Sequence, residues 1–342
     1  MKKKLLEILV CRHCQNQLSL ASAPNQQEIW EGELLCKHCG ARFHIHKGIP
    51  QFSSAADHRA KSFKGFGYQW NWRSKQGQLS ACYGLDIKPF VNWILETVQS
   101  TFNGNAIQKD DWLLDAGCGS AEKCVQLAKS NPRAQVVGLD LNPHLYKYYK
   151  TNNLPNLHMI QANLQNLPIK PGVFKFIMSI GVLHHTPDTQ EVFKNLIAVL
   201  NNRGTIFTWL YPEKGEDKFW SALYRQRDIH FMGLADKIPL DVLEALCHFY
   251  VTANFWPMYA FSRFYAKKHR KVFPFSSRYR SLRGFYRSAV FTTFDNLMPE
   301  HQRRHNRNEI LNLMDQCNVK RADLSLPGFY LGQKHAELRD IV

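Results

Sequence analysis

Two glycines separated by one residue follow an acid in the stretch LLDAGCGSAEKC, residues 113–124. An apolar run that leads into such a loop and then a helical pattern is typical of nucleotide binding. The glycines let the backbone approach the ligand, and a helix amino terminus attracts its anionic groups. A dinucleotide-binding GxGxxG loop would need glycine where Glu122 stands, and a phosphate-binding loop would need a GKS or GKT ending that is absent. The ligand therefore belongs to another class.

Four of the nine cysteines form two CxxC pairs, CRHC and CKHC, with members Cys11, Cys14, Cys36 and Cys39. Two intervening residues let both sulfurs of a pair reach one ion, and two pairs complete the tetrahedral thiolate site that suits zinc. Because four thiolates close the coordination shell, we expect a structural rather than a catalytic zinc. The small domain that holds these cysteines can bury little hydrophobic core of its own, and a bound metal ion compensates by stabilising the fold.

The elements that would position the loop alternate along the chain. WLLDA, QVVGLD, LHMIQA, FKFIMSIGV and GTIFTWL predict five short strands, and residues 121–130, 143–152 and 189–200 have helical spacing. Such alternation indicates a parallel sheet with helices on both faces, whose ligands bind at the carboxyl ends of the strands. NRNEILNLMDQCNV predicts one more helix, and VKRADLSL and GFYLGQK predict a closing antiparallel hairpin.

The glycine loop resembles the first motif of the class I S-adenosylmethionine-dependent methyltransferases, in which the third glycine is also found as alanine. VVGLDLNP, IQANLQNLP, FKFIMSIGVLHHTPD and AVLNNRGTIFTWLY resemble the later motifs in the same order, the third as in the ubiquinone-biosynthesis-like branch. The resemblance covers about 100 residues and implies S-adenosylmethionine as the cofactor. The cofactor-binding residues that it implies are Asp115, Gly117, Cys118, Gly119, Asp140, Leu141, Asn163, Leu164 and Ser179.

Four positions depart from the motifs of that family. Ala121 replaces the third glycine, Asn163 replaces an aspartate beside the adenine, Lys175 replaces another aspartate, and Arg203 replaces a glycine. Alanine adds only one methyl group, and asparagine still accepts a hydrogen bond from an adenine amino group without charge assistance. We expect cofactor binding to persist, with lowered affinity as the alternative outcome.

His184 and His185 follow the fourth predicted strand and are candidate catalytic residues. The alternative is that one packs against or caps the next turn while the other lines the pocket. Methyl transfer is a displacement in which positioning and desolvation do much, so a general base is needed only for a weakly acidic acceptor.

The fold prediction is an α/β, Rossmann-like seven-stranded sheet with an amino-terminal zinc ribbon and a mostly helical insertion before the last two strands. Residues 1–52 form the ribbon, 53–105 a linker with helices over the cofactor site, 106–210 and 307–342 the core, and 211–306 the insertion. The ribbon, with its phrase FHIHKGIPQF, resembles the zinc-ribbon family related to the activator subunit of tRNA methyltransferases.

The linker phrase KSFKGFGYQWNW, residues 61–72, resembles one that covers the cofactor entrance in related zinc-ribbon methyltransferases. It makes Tyr68 a candidate pocket residue, with simple packing between domains as the alternative. Within the insertion, FDNLMPEHQRRHNRNEI resembles an ending found in methyltransferases of surface-glycan and natural-product pathways. Asp295 and His305 match that ending and, together with Tyr211, are candidate residues on the acceptor side.

The insertion also combines 20 aromatic residues with positive charge: residues 263–307 hold 12 Lys or Arg and two acids, and so supply +10 of the formal net charge of +16. Basic residues among aromatics suit RNA, an anionic lipid surface, or a phosphorylated or lipid-linked intermediate. A helical lid whose aromatics form its own core beneath a solvated basic face is the alternative.

These features predict a cytoplasmic S-adenosylmethionine-dependent methyltransferase that acts on an anionic small-molecule, glycan or lipid-linked acceptor. An rRNA or tRNA methyltransferase is the second hypothesis, and a non-catalytic cofactor-binding scaffold is the third. Nine cysteines without an export signal indicate a reducing compartment. The sequence contains no run of 18 apolar residues, so we predict no transmembrane segment. The positive charge is compatible with peripheral contact with a membrane.

Overall fold

The computed structural model describes residues 1–21, 28–75, 81–82, 85–102, 106–152, 154–213, 237–269, 281–324 and 326–335. After a 3₁₀ turn, Lys3–Glu7, the chain forms an antiparallel ribbon of four strands in sequential order. They are β1 (Leu18–Leu20), β2 (Gly32–Cys36), β3 (Arg42–His46) and β4 (Ile49–Pro50). Burial alternates along β3, where Phe43 and Ile45 face the core, as expected for a sheet with one solvated face.

A short hairpin of β5 (Ala81–Cys82) and β6 (Leu85–Asp86) precedes the central sheet. That sheet contains β7 (Trp112–Ala116), β8 (Gln135–Asp140), β9 (Leu157–Gln161), β10 (Phe174–Ile180), β11 (Leu200–Trp209), β12 (Val319–Ala322) and β13 (Phe329–Lys334). The spatial order is β12–β13–β11–β10–β7–β8–β9, and β13 alone runs in the direction opposite to the other six strands. The predicted seven-stranded sheet is confirmed.

Ten helices are described: α1 (Ala55–Arg59), α2 (Lys61–Lys75), α3 (Ile87–Thr101), α4 (Glu122–Ser130), α5 (Leu145–Asn152), α6 (Thr189–Val199), α7 (Leu240–Ala253), α8 (Phe255–His269), α9 (Leu282–Leu297) and α10 (Arg307–Gln316). Polar side chains cap the amino ends of four of them, at Ser54, Asp188, Ser281 and Asn306. Asp188, for example, accepts the Gln190 and Glu191 N–H groups at 2.8 and 3.0 Å. None of the described helices has the length and apolar character needed to cross a membrane.

The ribbon lies against β9, the edge strand of the central sheet. Phe52 N–H donates to the Gln161 carbonyl at 2.7 Å, and Val10 N–H donates to the Pro168 carbonyl at 3.0 Å. Apolar residues of the ribbon, including Leu9, share one buried cluster with residues of the core. The ribbon therefore covers a sheet edge that would otherwise expose unpaired backbone groups.

Helix α2 of the linker packs with the insertion. Phe66, Tyr68 and Trp72 of α2 lie against a buried cluster formed by α7, α9 and Met298. Trp72 and Phe291 stack with ring centroids 6.1 Å apart. Linker and insertion thus form one packed unit beside the central sheet.

Candidate active site

The loop after β7 passes through left-handed backbone at Gly117 (φ 77°) and Gly119 (φ 56°). A Cβ at the first position would lie 2.4 Å from Val182, and a Cβ at the second 2.7 Å from the Trp70 ring, so both positions require glycine. Ala121, the residue that caps α4, also has a positive φ of 63°. Alanine pays a steric cost there that glycine avoids, which accounts for the glycine usual in the motif.

Asp140, at the end of β8, holds this loop in place. Its two carboxylate oxygens accept the Gly119 and Asn142 N–H groups, each at 2.8 Å, and the Asn142 amide donates to the Gly119 carbonyl at 2.9 Å. Burial raises the pKa of Asp140, and the two N–H donors oppose that rise. Each oxygen has a further lone pair, so the carboxylate can still accept hydrogen bonds from ribose hydroxyls.

The Asp115 carboxylate, on β7, is wholly buried, and neither oxygen accepts a hydrogen bond of ordinary geometry within the described part of the chain, although the Cys124 backbone N–H approaches it and lowers its pKa. Burial raises its pKa to about 6; Lys123 opposes this rise and Asp140 adds to it. Buried polar groups are nearly always satisfied, because an unpaired one costs free energy. This carboxylate therefore fits a ligand that brings its own donor, such as the ammonium group of S-adenosylmethionine.

Helix α2 lies across the glycine loop. Trp70 packs on Gly119, and Arg73 Nε lies 3.3 Å from Glu122 Oε1 in an ion pair whose side chains are each 6% exposed. Glu122, the residue that excludes a dinucleotide loop, thus anchors the helix that covers the loop. Neither Trp70 nor Arg73 was singled out from the sequence, although both lie in or beside the aromatic linker phrase that was.

Tyr68 lies on the same helix but faces the insertion. Its hydroxyl donates to Glu244, and its ring stacks on Phe294 with centroids 5.8 Å apart. Burial, followed by the nearby Glu244, raises the pKa of Tyr68 above its ordinary range. Trp70, two residues later on α2, is the residue that contacts the glycine loop.

Asn163, expected beside the adenine, is held by the linker. Its amide donates to Asp57 Oδ1 at 2.7 Å, and its Oδ1 accepts the Gln165 N–H at 3.0 Å. Among the other expected cofactor residues, Leu164, Cys118 and Ser179 are buried and Leu141 is half-buried. Ser179 Oγ donates to the Ala116 carbonyl at 3.0 Å, which ties β10 to the end of β7.

His184 and His185 lie in a buried 3₁₀ turn after β10. The Tyr211 N–H donates to His184 Nδ1 at 3.2 Å, which places the proton of that ring on Nε2. His185 Nδ1 instead lies 3.0 Å from the His301 carbonyl, to which it must donate, so its Nε2 has the free lone pair. Burial lowers the pKa of both rings, and neither Nε2 has a partner among the described residues. His185 is therefore the better placed of the two to accept a proton.

Asp295 of α9 connects the insertion to this histidine pair. Its Oδ1 accepts from Gln69 Nε2 at 2.8 Å and its Oδ2 from the Tyr211 hydroxyl at 3.1 Å. The Tyr211 ring stacks on His184 with centroids 3.8 Å apart. Linker, core and insertion thus converge on one buried group of side chains, which we call the polar cluster: Gln69, His184, His185, Tyr211 and Asp295.

His305 lies beside the polar cluster, with both ring nitrogens engaged. Nδ1 lies 3.1 Å from Glu309 Oε1, and Nε2 lies 3.2 Å from Thr189 Oγ1. Its backbone N–H donates to the Tyr211 carbonyl at 2.9 Å. These contacts make His305 a residue that positions Tyr211.

The two cysteine pairs of the ribbon come together. The sulfurs of Cys11 and Cys39 are 3.6 Å apart, those of Cys14 and Cys36 are 3.5 Å apart, and all four lie within 4.8 Å of one another. Zn–S bonds of about 2.3 Å in a tetrahedron place sulfurs roughly 3.8 Å apart. The geometry fits a closed four-thiolate zinc site.

The sheet order, with its antiparallel β13 and a glycine loop after β7, is that of the class I methyltransferase fold. Residues 107–216 match the family described as a methyltransferase domain, and residues 2–48 match the Trm112p-like protein family. Residues 107–216 therefore form a methyltransferase domain of the class I fold, and residues 2–48 form a Trm112p-like domain. Both resemblances expected from the sequence are confirmed.

Three curated relatives share part of the core. The chain is 30% identical to malonyl-(acyl-carrier protein) O-methyltransferase of Legionella pneumophila, 32% to trans-aconitate 2-methyltransferase of Deinococcus radiodurans and 30% to tRNA U34 carboxymethyltransferase of Syntrophotalea carbinolica. In the same order, the matches cover 32%, 28% and 28% of this chain and 40%, 35% and 30% of those proteins. The chain thus matches less than half the length of each relative, and their names specify acceptors of different classes.

Proposed function

We propose that this protein is a methyltransferase that uses S-adenosylmethionine. The observation that carries the proposal is the buried carboxylate of Asp115, which accepts no hydrogen bond of ordinary geometry from the described residues and lies beside a loop that accepts only glycine at positions 117 and 119. An enzyme tolerates such a group where a ligand completes it. The bound cofactor supplies an electrophilic methyl group on its sulfonium.

The residues of the loop have separate roles toward the cofactor. Asp115 accepts hydrogen bonds from the methionine ammonium, and the glycine backbone lies close to the methionine part. Asp140, already fixed by Gly119 and Asn142, accepts the ribose hydroxyls through its remaining lone pairs. Asn163 Oδ1 has one lone pair left for the adenine amino group, while its own amide stays on Asp57.

His185 is the proposed general base. Its Nδ1 proton is fixed on the His301 carbonyl, and its neutral state follows from burial, so Nε2 can accept a proton from an acceptor hydroxyl or amine. Asp295 favours the imidazolium that forms, because its charge acts against the effect of burial on the pKa of His185. His184, whose Nε2 carries a proton, donates to the acceptor instead.

The proposed acceptor is an anionic small molecule, a glycan or a lipid-linked intermediate. The polar cluster supports this choice, because Gln69 and Asp295 are 0% and 1% exposed beneath the insertion. A compact reactive group can enter such a site more readily than a nucleotide within a folded chain. Trans-aconitate, the acceptor named for the Deinococcus relative, is a small molecule of this class, whereas the acceptor named for the Legionella relative is attached to a carrier protein.

RNA is the second candidate acceptor. The tRNA-directed relative and the charge of +10 on residues 263–307 favour it. An RNA acceptor would have to place a flipped-out base in the polar cluster, since base chemistry requires the target to leave its stack.

The ribbon is proposed to hold one structural zinc through Cys11, Cys14, Cys36 and Cys39, which fixes the strands that cover β9. The cytoplasmic location remains a prediction.

Titration calorimetry with S-adenosylmethionine tests whether the protein binds the cofactor. To identify the acceptor, purified protein and methyl-labelled cofactor are incubated with small-molecule, lipid, glycan and RNA fractions of a cell extract. We expect micromolar binding that Asp115→Asn weakens and that Glu96→Gln, which neutralises an exposed acid on α3, leaves unchanged. Label should enter the small-molecule, lipid or glycan fraction. If the protein did not bind the cofactor, the proposed methyltransferase activity would be refuted. If label entered only the RNA fraction, RNA would take the place of the proposed acceptor class.

A further inference from the structure

Seven of the eight exposed large apolar side chains within the described ranges lie in the insertion. Phe249 is 74% exposed, Phe264 68% and Trp256 66%. Single exposed apolar residues are ordinary, but a concentration of this kind marks an interaction surface. We call these seven residues the insertion face: Val242, Leu246, Phe249, Tyr250, Trp256, Phe264 and Leu282.

Four members of the insertion face follow helical spacing along α7. Val242, Leu246, Phe249 and Tyr250 fall within one arc of about 100° of that helix. The adjoining stripe of α7, with Leu243, Cys247 and Val251, is buried in the cluster shared with α9. The helix therefore has two apolar faces, and its own core needs only one of them.

Charge lies beside the apolar stripe rather than within it. Helix α7 contains no Lys or Arg, and its acids are Asp241 in the first turn and Glu244, which is bonded to Tyr68. Exposed cations adjoin other members of the insertion face: Arg263 precedes Phe264 on α8, and Arg283 follows Leu282 on α9. In the sequence, residues 263–307 together carry +10. RNA requires cations among the stacking aromatics, whereas a membrane interface takes an apolar zone bordered by a basic one.

We propose that the insertion face docks on the surface of an anionic lipid bilayer. The aromatic and aliphatic side chains of α7 and α8 enter the boundary between headgroups and acyl chains, and the exposed Arg263 and Arg283 pair with lipid phosphates. Docking goes beyond methyl transfer. It would also bring the polar cluster, through α9, next to lipid-linked acceptors, a consequence that rests on the proposed function.

Flotation of the full-length protein with vesicles tests docking without cofactor or acceptor, and so separates it from the proposed reaction. Vesicles of phosphatidylcholine with about 30 mol % phosphatidylglycerol should bind the protein at least about tenfold more tightly than pure phosphatidylcholine. Salt at about 0.5 M should weaken this preference. Equal partition into both vesicle types, or none into either, overturns the proposal.

The triple variant Phe249→Ser, Trp256→Ser, Phe264→Ser should lose about 100-fold or more in vesicle partition. Because all three side chains are exposed, its thermal unfolding should match the wild type; the single variant Phe249→Ser, expected to lose about tenfold, gives an independent result if the triple variant is unstable. Trp30→Ser, at an exposed aromatic on the ribbon, is the matched control and should bind like the wild type. The proposal would be overturned if the triple variant still bound vesicles, or if the protein bound an RNA hairpin but not vesicles. It would also be overturned if the protein formed a dimer that only the triple variant abolishes, since the insertion face would then bind a second copy.

Discussion

Arg73 of α2 and Glu122, the first residue of α4, form an ion pair that water scarcely reaches, with each side chain 6% exposed. The guanidinium also lies 5.2 Å from the Phe291 ring centroid, and Glu122 accepts from the Ser120 hydroxyl. One buried pair thus ties together the glycine loop, the helix that covers it and the insertion. Removing one partner leaves the other charge buried and uncompensated.

Arg73→Met should therefore lower the free energy of unfolding by about 3 kcal/mol in urea denaturation. Adding Glu122→Gln should restore part of that loss, because no uncompensated charge remains. Arg321→Met, which removes an exposed pair with Asp315, is the control and should cost less than about 1 kcal/mol. A double variant no more stable than Arg73→Met would contradict the pairing argument.

Asp115→Asn should act in opposite directions on stability and on binding. The pKa of Asp115 is raised from 3.8 to about 6 in the folded chain, so its ionised form opposes folding fully above pH 6 and not at all well below 4. At about pH 8 the variant should unfold with roughly 2 kcal/mol more free energy than the wild type. Its affinity for S-adenosylmethionine should fall at least about tenfold, through loss of a charge-assisted hydrogen bond. A variant that is less stable and binds normally would show that Asp115 has a structural role only.

The two histidines should differ when each is replaced by glutamine. His185→Gln should lower kcat by about 100-fold, the ordinary range for a general base, and His184→Gln by less. Because burial lowers the pKa of His185, the wild-type rate should be level at neutral pH and fall only below about pH 6.5. That acidic limb should vanish in His185→Gln. The same limb in both enzymes, measured as kcat against pH, would assign the proton transfer to another group.

Much of the core could be predicted from the sequence, because its signals are local. The strand at WLLDA, the loop at Gly117 and Gly119, and the CxxC pairs each combine spacing with a residue type that has one physical meaning. The seven-stranded sheet and its closing antiparallel hairpin then followed from alternation along the chain and resemblance to a known family.

The long-range contacts could not be predicted in this way. Nothing local indicates that Gln69 reaches Asp295, 226 positions later, or that His185 and His184 carry their protons on different nitrogens. The aromatic linker phrase predicts Tyr68 as a residue of the cofactor pocket. Trp70, two residues later, is the residue that packs on Gly119. Tyr68 and Trp70 are separated by about 200° of helical rotation, and which of them faces the loop depends on the packing of the whole domain.

Removal of zinc should destabilise the ribbon and then the edge of the sheet. Cys14→Ser should lower the metal content, measured by mass spectrometry, below one zinc per chain and reduce the unfolding midpoint by several degrees. Amide exchange should rise at Val10 and Phe52, because their N–H groups donate to the carbonyls of Pro168 and of Gln161 in β9. Cys317 lies outside the cysteine cluster, so the variant Cys317→Ser is the matched control. Full metal content in Cys14→Ser would exclude the four-thiolate site.

His158 should make the fold sensitive to acid. The ring is buried in β9, with Nε2 3.0 Å from Gln135 Oε1, and burial lowers its pKa from 6.5 to about 3, with Lys2 and the amino terminus adding to the effect. As the pH falls below 6.5, the unfolded chain takes up this proton and the folded chain does not. Stability from this residue is therefore complete above 6.5 and is lost progressively toward 3.

The expected slope from His158 approaches about 1.4 kcal/mol per pH unit between pH 6 and 4. Urea denaturation of the wild type and of His158→Gln at about pH 7, 6 and 5 isolates it, because the other titrating groups contribute equally to both proteins. The variant should be less stable at pH 7, where glutamine fills the site imperfectly, and should lose less on acidification. Parallel curves for the two proteins would mean that His158 is protonated in the folded chain as readily as in the unfolded one, and that Gln135 accepts from an imidazolium.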